Sequence, residues 1–336
     1  MEHRRLGGTG LRVSELCLGT MTFGVQCDET ASFAILDRAA ERGVDFLDTA
    51  DCYPVPLGLE TAGRTEEILG RWLQGRRHRF VVATKCFFPM GPGPNDQGSS
   101  RRHVLEAIDA SLRRLRTDHV DLFQVHAFDP ETPLEETLRA LDDVVRAGKA
   151  RYVGCSNFLA WELGKALATS ERHGLVRFDC TQPRYNLLHR DIESDLLPLC
   201  QDAGIGVICF NPLAGGLLTG KHSPDKEPLA DTRFGAMLGS TGVTYRRRYW
   251  HQESFEVIEA LKRFLEPRGK SLTTAAVAWV LAQPGITAAI VGASRVEHLD
   301  ATLAASDVVL DDEERAALDD AWYRLPRRPP VPGPVR

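Results

Sequence analysis

Apolar and polar positions along this chain follow two alternating rhythms. Short runs rich in β-branched residues, the pattern of a strand buried on both faces, give way to stretches in which apolar residues recur every three or four positions, as on one side of a helix. The strand-like runs are "ELCLGT", "DFLDTA", "FVVATKC", "VDLFQVH", "ARYVGCS", "FDCTQPR", "GVICFNP" and "AAIVGAS". Between them lie helical periods such as "TASFAILDRAAERG", "TEEILGRWLQ", "SRRHVLEAIDASLRRLR", "PLEETLRALDDVVRAGK" and "SDLLPLCQDAG". Several end on Gly, which accepts a left-handed cap at least cost.

Strict alternation repeated about eight times predicts an α/β chain closed into a (β/α)8 TIM barrel, because parallel neighbours need crossover helices and eight strands close round a packed interior. An open doubly wound sheet is the alternative, but the G-x-G-x-x-G fingerprint that would favour it is absent. Residues 1–326 are read as one domain. Residues 327–336, "RRPPVPGPVR", are too rich in Pro to pack and are read as a disordered tail. Three segments break the rhythm: "PVPLGLETAG", "FFPMGPGPNDQGSS" and "KHSPDKEPLADTRFGAMLGSTGVTYRRRYWHQ". All come after strand C-termini, so they form long loops on the C-terminal face, where binding residues accumulate in this architecture.

Composition narrows the partners. A formal charge of −5 over 336 residues gives no general electrostatic case for nucleic acid or an anionic membrane surface. No apolar run reaches the length of a membrane span and no signal-peptide core comes after "MEHRRLGGTG", so the sequence reads as cytoplasmic. The eight cysteines show no C-x-x-C spacing, and Cys17, Cys86, Cys155, Cys180 and Cys209 fall in or beside strand runs. They read as reduced, buried and inert, with no metal site. "YRRRYW" interleaves basic and aromatic residues, but it is short and the chain is acidic. It reads as the solvated start of the next helix, with Arg246 or its neighbours meeting an anionic substrate as a secondary possibility. Homo-oligomerisation is left open.

The strand ends carry the chemistry. Side chains alternate along a strand, so Lys85 shares a face with Val81 and Ala83, His126 with Val120, Leu122 and Gln124, and Asp48 with Phe46. Three strands thereby deliver Asp48, Lys85 and His126 to one rim, with Tyr53 just beyond on a loop. Singly, each has an ordinary explanation: a solvated charge, a satisfied core histidine, a turn cap, a packed ring. Together they have a chemical one. A phenol is a weak acid, an adjacent ammonium favours its ionised form, and a carboxylate holds that ammonium in place. Asp48 would position Lys85, Lys85 would lower the Tyr53 phenol, and His126 would donate to the same substrate oxygen as charge develops on it.

These motifs, "DTADCY", "TKC", "DLFQVH" and "VGCSNF" after an opening "RRLGGTGLRVSELCLGTMTFG", resemble those of aldo-keto reductases of the bacterial type related to potassium-channel β subunits. The resemblance runs to about "IVGASRVEHL" and implies an (α/β)8 barrel with an N-terminal β-hairpin closing its bottom. It also implies NADPH as cofactor and reduction of a small-molecule carbonyl substrate. It makes Tyr53, Asp48, Lys85 and His126 the catalytic tetrad. Ser156, Asn157 and Gln182 match the residues that hold the nicotinamide carboxamide, and Phe210 the stacking ring, where relatives usually carry Tyr or Trp. Asn211, which stands where Ser is common, Leu213, Gly215 with Gly216, and Lys221 fall in the pyrophosphate loop. Gly292, Ser294 and Arg295 fit the 2′-phosphate site, with His298 on the next helix. The chain departs from the pattern at His298, Ala301 and Thr302, where relatives often carry Gln, an acid and Asn.

Other functions compete. The acceptor could be a nucleotide-linked keto or enoyl sugar of secondary metabolism. The barrel could be a redox-sensing module like channel β subunits, or Lys85 could form a Schiff base, although Asp48 nearby favours its charged form.

Overall fold

The computed structural model describes residues 1–230 and 232–328; from position 329 onward the stretch read as a tail lies outside them. The chain opens with an antiparallel ribbon, β1 (His3–Arg5) and β2 (Arg12–Ser14). Eight parallel strands then close a barrel: β3 (Leu16–Gly19), β4 (Phe46–Asp48), β5 (Val81–Cys86), β6 (Val120–Val125), β7 (Ala150–Ser156), β8 (Cys180–Gln182), β9 (Gly206–Phe210) and β10 (Ile286–Val291). Each strand-like run of the sequence supplies one of them, and β10 pairs with both β9 and β3. The predicted barrel and hairpin are therefore both present.

Alternation decides which residues face inward. Cys17, Phe46, Ala83, Leu122, Cys180, Ile208 and Ala288 fill the barrel interior, joined by Leu6 and Val13 from the ribbon. Leu47, Val82, Phe123 and Val153, of opposite parity, face the surrounding helices in the larger outer core. The ribbon closes the N-terminal end so tightly that a Cβ on Gly7, at φ +55°, would lie 2.4 Å from the backbone nitrogen of Gly206 at the start of β9. Only glycine accepts both that conformation and that approach. The bottom is thus sealed by packing, and the opposite mouth is left for the loops.

Register staggers the strands so that different residues reach the mouth at one level. Asp48 pairs with Ala83, Lys85 with Gln124, and Ser156 with Gln182. The long segment after β9 differs from its reading as an irregular loop: a helix forms over Gly239–Tyr249, separate from the next one over Gln252–Leu265. Its sequence hides it, because Gly239 and Gly242 weaken the helical pattern. Tyr245 and Tyr249, four apart, supply its buried face. A Cβ on Gly242 would lie 2.6 Å from the Gly235 carbonyl oxygen, so that glycine permits the packing. The predicted tail begins docked, with the Arg327 guanidinium 4.1 Å from the Trp322 ring centroid and Arg328 3.0 Å from Glu253. Among the described residues no helix is long and apolar enough to cross a membrane.

Candidate active site

Backbone hydrogen bonds continue past the strand ends and anchor the first loop residues there. Thr49 N–H donates to the Ala83 carbonyl at 2.9 Å, Asp51 N–H to Lys85 at 3.0 Å, and His126 N–H to Cys86 at 3.0 Å. Tyr53 sits one turn further on, its N–H donating to the Ala50 carbonyl at 3.2 Å and its own carbonyl accepting from Gly63 at 3.1 Å. The structure brings Asp48, Tyr53, Lys85 and His126 together. Lys85 is 0 %, Asp48 3 %, His126 8 % and Tyr53 9 % exposed, so all four lie away from bulk water.

A buried ion pair is the centre of the group. Lys85 Nζ donates to Asp48 Oδ2 at 2.6 Å and to the Thr49 carbonyl at 2.8 Å. The other carboxylate oxygen, Oδ1, accepts from Gln182 Nε2 at 2.9 Å, with Gln124 Nε2 at 3.4 Å. A buried charge pair is tolerable only when its remaining lone pairs and protons are matched in this way. The ammonium lies 5.2 Å from the Tyr53 ring centroid, and the His126 ring stands edge-on to that ring at 5.8 Å. Phe88 covers the imidazole at 4.8 Å.

Electrostatics correct one expectation. Burial pushes the Tyr53 phenol well above its ordinary value, and the Asp48 carboxylate adds to this. Arg233, from the long segment after β9, opposes them. Lys85 is expected from the sequence to lower the phenol, but its ammonium donates at short range to Asp48 and the Thr49 carbonyl, and the Asp48 carboxylate raises the phenol instead. Burial likewise holds His126 well below the usual imidazole range, with Lys85 contributing, so the ring is neutral and can donate a hydrogen bond but not a spare proton. The two shifts set the pH dependence expected of any reaction that uses Tyr53 as an acid. The phenol keeps its proton as pH rises past about 10, the ordinary phenol value, and His126 takes one up only far below about 6.5. A pH profile of kcat/KM for reduction should show neither an acid limb near the imidazole value nor a fall before the ordinary phenol value.

The remaining candidates fall into two groups on the same face. Ser156 Oγ donates to the Gln182 carbonyl at 2.9 Å, and Asn157, at φ +58°, donates through Nδ2 to the His126 carbonyl at 3.0 Å. Those three therefore lie beside the tetrad. Phe210 ends β9 half-buried on the inward face. Asn211, at φ +65°, accepts from the Gly215 N–H and donates to the Tyr249 hydroxyl at 2.9 Å, which folds the adjoining loop back with Leu213 at its turn. Gly215 and Gly216 both have positive φ, but a Cβ on Gly215 would strike the Tyr245 ring at 2.5 Å, whereas around Gly216 nothing lies within 4 Å. Gly216 is thus the open position, and Gly215 is a packing glycine. Lys221 is exposed just beyond.

Gly292 comes directly after β10, across from this loop. Ser294 and the exposed Arg295 lead into the helix Val296–Leu303, which carries His298 outward. Reading the sequence missed Arg233, whose guanidinium donates to the Tyr245 hydroxyl at 3.3 Å and comes within 3.9 Å of a Cβ position on Gly292. No periodicity marks it. It also missed Gln124, although that residue stood on the inward row with His126 and could have been found by parity. The second carboxylate of "DTADCY" takes no part in this network: Asp51 is fully buried, neither oxygen has a hydrogen-bond partner among the described residues, and burial with Glu66 nearby pushes it well up. All eight cysteines are free and buried, and burial pushes each thiol up, in line with the inert reading.

A sealed parallel barrel with a compensated ammonium, a phenol and a neutral imidazole at its mouth is the frame of a small-molecule enzyme, and comparison with known proteins defines which class. The profile of the Aldo/keto reductase family matches residues 15–323. The chain belongs to that family and is an NAD(P)H-dependent oxidoreductase. It is 40 % identical over 330 residues, 96 % of each chain, to the uncharacterized oxidoreductase YrpG of Bacillus subtilis (strain 168). It is 37 % identical over 314 residues, 92 % of each chain, to a probable voltage-gated potassium channel subunit beta of Arabidopsis thaliana. With the versiconal hemiacetal acetate reductase of Aspergillus parasiticus it shares 34 % identity, covering 96 % of this chain and 97 % of the relative.

Proposed function

We propose that this protein reduces an aldehyde or ketone to the alcohol with NADPH, Tyr53 giving the proton. The observation that carries the reading is the convergence of Tyr53 and the neutral His126 ring over the buried Lys85–Asp48 pair. A bound nicotinamide supplies the hydride. The residues do the rest. As negative charge grows on the substrate oxygen, His126 donates a hydrogen bond to it and Tyr53 transfers its proton. An alkoxide is a far stronger base than a phenolate, so a phenol held protonated by burial still gives up its proton to it. Arg233 eases the charge left on Tyr53.

The residues present fit the cofactor. Gly216 leaves space where an anionic group needs backbone approach, and Asn157, Ser156 and Gln182 present amide and hydroxyl groups beside the tetrad. Phe210 would stack, Asn211, Leu213, Gly215 and Lys221 would shape the pyrophosphate loop, and Gly292, Ser294, Arg295 and His298 would meet the adenosine end. The exposed guanidinium of Arg295 beside a helix start favours a 2′-phosphate and hence NADPH. Fluorescence titration of Arg295→Ala should show NADPH weakened by about 10-fold, the worth of one charge-assisted contact, with NADH little changed. Equal losses for both cofactors would remove Arg295 from the phosphate site. Free buried thiols suit a reducing compartment, the cytoplasm.

A further inference from the structure

Among the described residues Arg184 and Arg248, both on the active-site face, are part-buried and form no ion pair with a carboxylate. Arg184 lies two residues beyond β8, its backbone bridged to Phe210 at the end of β9. Its Nη2 donates to His189 Nδ1 at 3.2 Å, and its guanidinium lies 5.8 Å from the Tyr249 ring centroid. Arg248 precedes Tyr249 on the helix Gly239–Tyr249, and its Nε is buried without a hydrogen-bond partner. Burial, and then the charge of Arg184, whose guanidinium lies against the ring of the adjoining Tyr249, push Arg248 down. Burial and the charges of both arginines hold His189 at about 2, so its imidazole is neutral. Asp191 comes within 3.6 Å of His189 Nδ1, with its side chain more than half exposed.

Several other part-buried arginines among the described residues are matched by a carboxylate, although Arg233, like this pair, is not: it meets the Tyr245 hydroxyl and the Met21 sulfur. Arg77 meets Asp121 at 2.6 Å, Arg114 meets Glu66 at 2.7 Å, and Arg190 meets Glu193 at 2.8 Å. Among the described residues Arg184 and Arg248 form no ion pair with a carboxylate. Two partly desolvated like charges repel and cost stability unless an anion joins them. Of the basic run "YRRRYW", Arg246 is engaged by the Phe234 carbonyl at 2.7 Å and by Glu227 at 3.2 Å and Arg247 is exposed, which singles out the part-buried Arg248.

Position says what the anion belongs to. Tyr249 accepts from Asn211 at 2.9 Å and from Asn186 at 3.1 Å, and its ring is 6.3 Å from that of Tyr245. The arginine pair is thus on the rim that carries Tyr53, displaced toward β8. The candidates for the cofactor phosphates, Lys221, Arg233, Ser294 and Arg295, lie toward β9 and β10. We propose that Arg184 and Arg248 form a subsite for an anionic group, a carboxylate or a phosphate, carried by the carbonyl substrate at a distance from its reacting carbon. This rests on the reductase reading.

The test compares benzaldehyde with 4-carboxybenzaldehyde and 4-formylphenyl phosphate, which share the reacting group and differ in charge. Wild-type protein should favour one of the anions in kcat/KM, the preferred one showing whether carboxylate or phosphate is the natural group. In Arg184→Gln and Arg248→Gln the ratio of anionic to neutral kcat/KM should fall by about 10-fold or more, with partial retention in Arg184→Lys and Arg248→Lys. An unchanged ratio, no preference in the wild type, or an equal loss of NADPH affinity would overturn the subsite, the last by assigning the arginines to the cofactor. If no aldehyde is reduced, the reductase reading fails on its own, and thermal shifts decide the subsite separately. Benzoate or phenyl phosphate should raise the Tm of wild-type protein but not of the double variant; equal shifts would overturn it.

Discussion

Replacing Tyr53 by Phe is expected to lower kcat for carbonyl reduction by about 10²- to 10⁴-fold, the range in which a positioned acid contributes, while NADPH affinity is retained. The substitution removes one hydroxyl from a ring that otherwise keeps its contacts with His126 and the Lys85 ammonium, so the fold should not notice. Loss of the rate without loss of binding separates an acid from a packing residue. Stopped-flow mixing of NADPH-loaded protein with an aldehyde reads both. Retention of the full rate would remove Tyr53 from the chemistry.

The second large effect is on stability. Lys85→Met should destabilise the fold by about 3–5 kcal/mol, because it leaves the Asp48 carboxylate in the barrel without its counter-charge. Asp48 keeps only the amides of Gln182 and Gln124. Adding Asp48→Asn to that variant removes the stranded charge and should recover most of the loss in a urea titration, without recovering activity. A double variant no more stable than Lys85→Met would mean that the lysine holds the mouth by packing and by its bond to the Thr49 carbonyl instead.

Alternation is what made the rim legible in the sequence. Phe46 and Asp48, Val81, Ala83 and Lys85, and Leu122, Gln124 and His126 share inward rows because a pleated strand leaves no other option once its apolar neighbours are buried. Rim residues can therefore be assigned from parity alone. The segment after β9 obeys no such rule. Gly239 and Gly242 mask its helix, and Arg233 and Tyr245 meet through a contact that no period announces. Charge was harder still. The direction in which Tyr53 shifts depends on how deeply it is buried and on how fully Asp48 compensates Lys85, and neither is written in spacing. The same holds for Asp51: burial and Glu66 push its carboxyl well up, which its place in "DTADCY" does not announce.

The central claim is that hydride from the cofactor and a proton from Tyr53 meet on one carbonyl. It is tested most directly with NADPH carrying deuterium at the transferring position, an aldehyde, and product analysis by NMR. The account predicts one deuterium on the carbinol carbon for each cofactor oxidised by the wild-type protein, with product formation all but lost in Tyr53→Phe. Alcohol without deuterium, or no cofactor oxidation with any carbonyl by a protein that binds NADPH well, would contradict it.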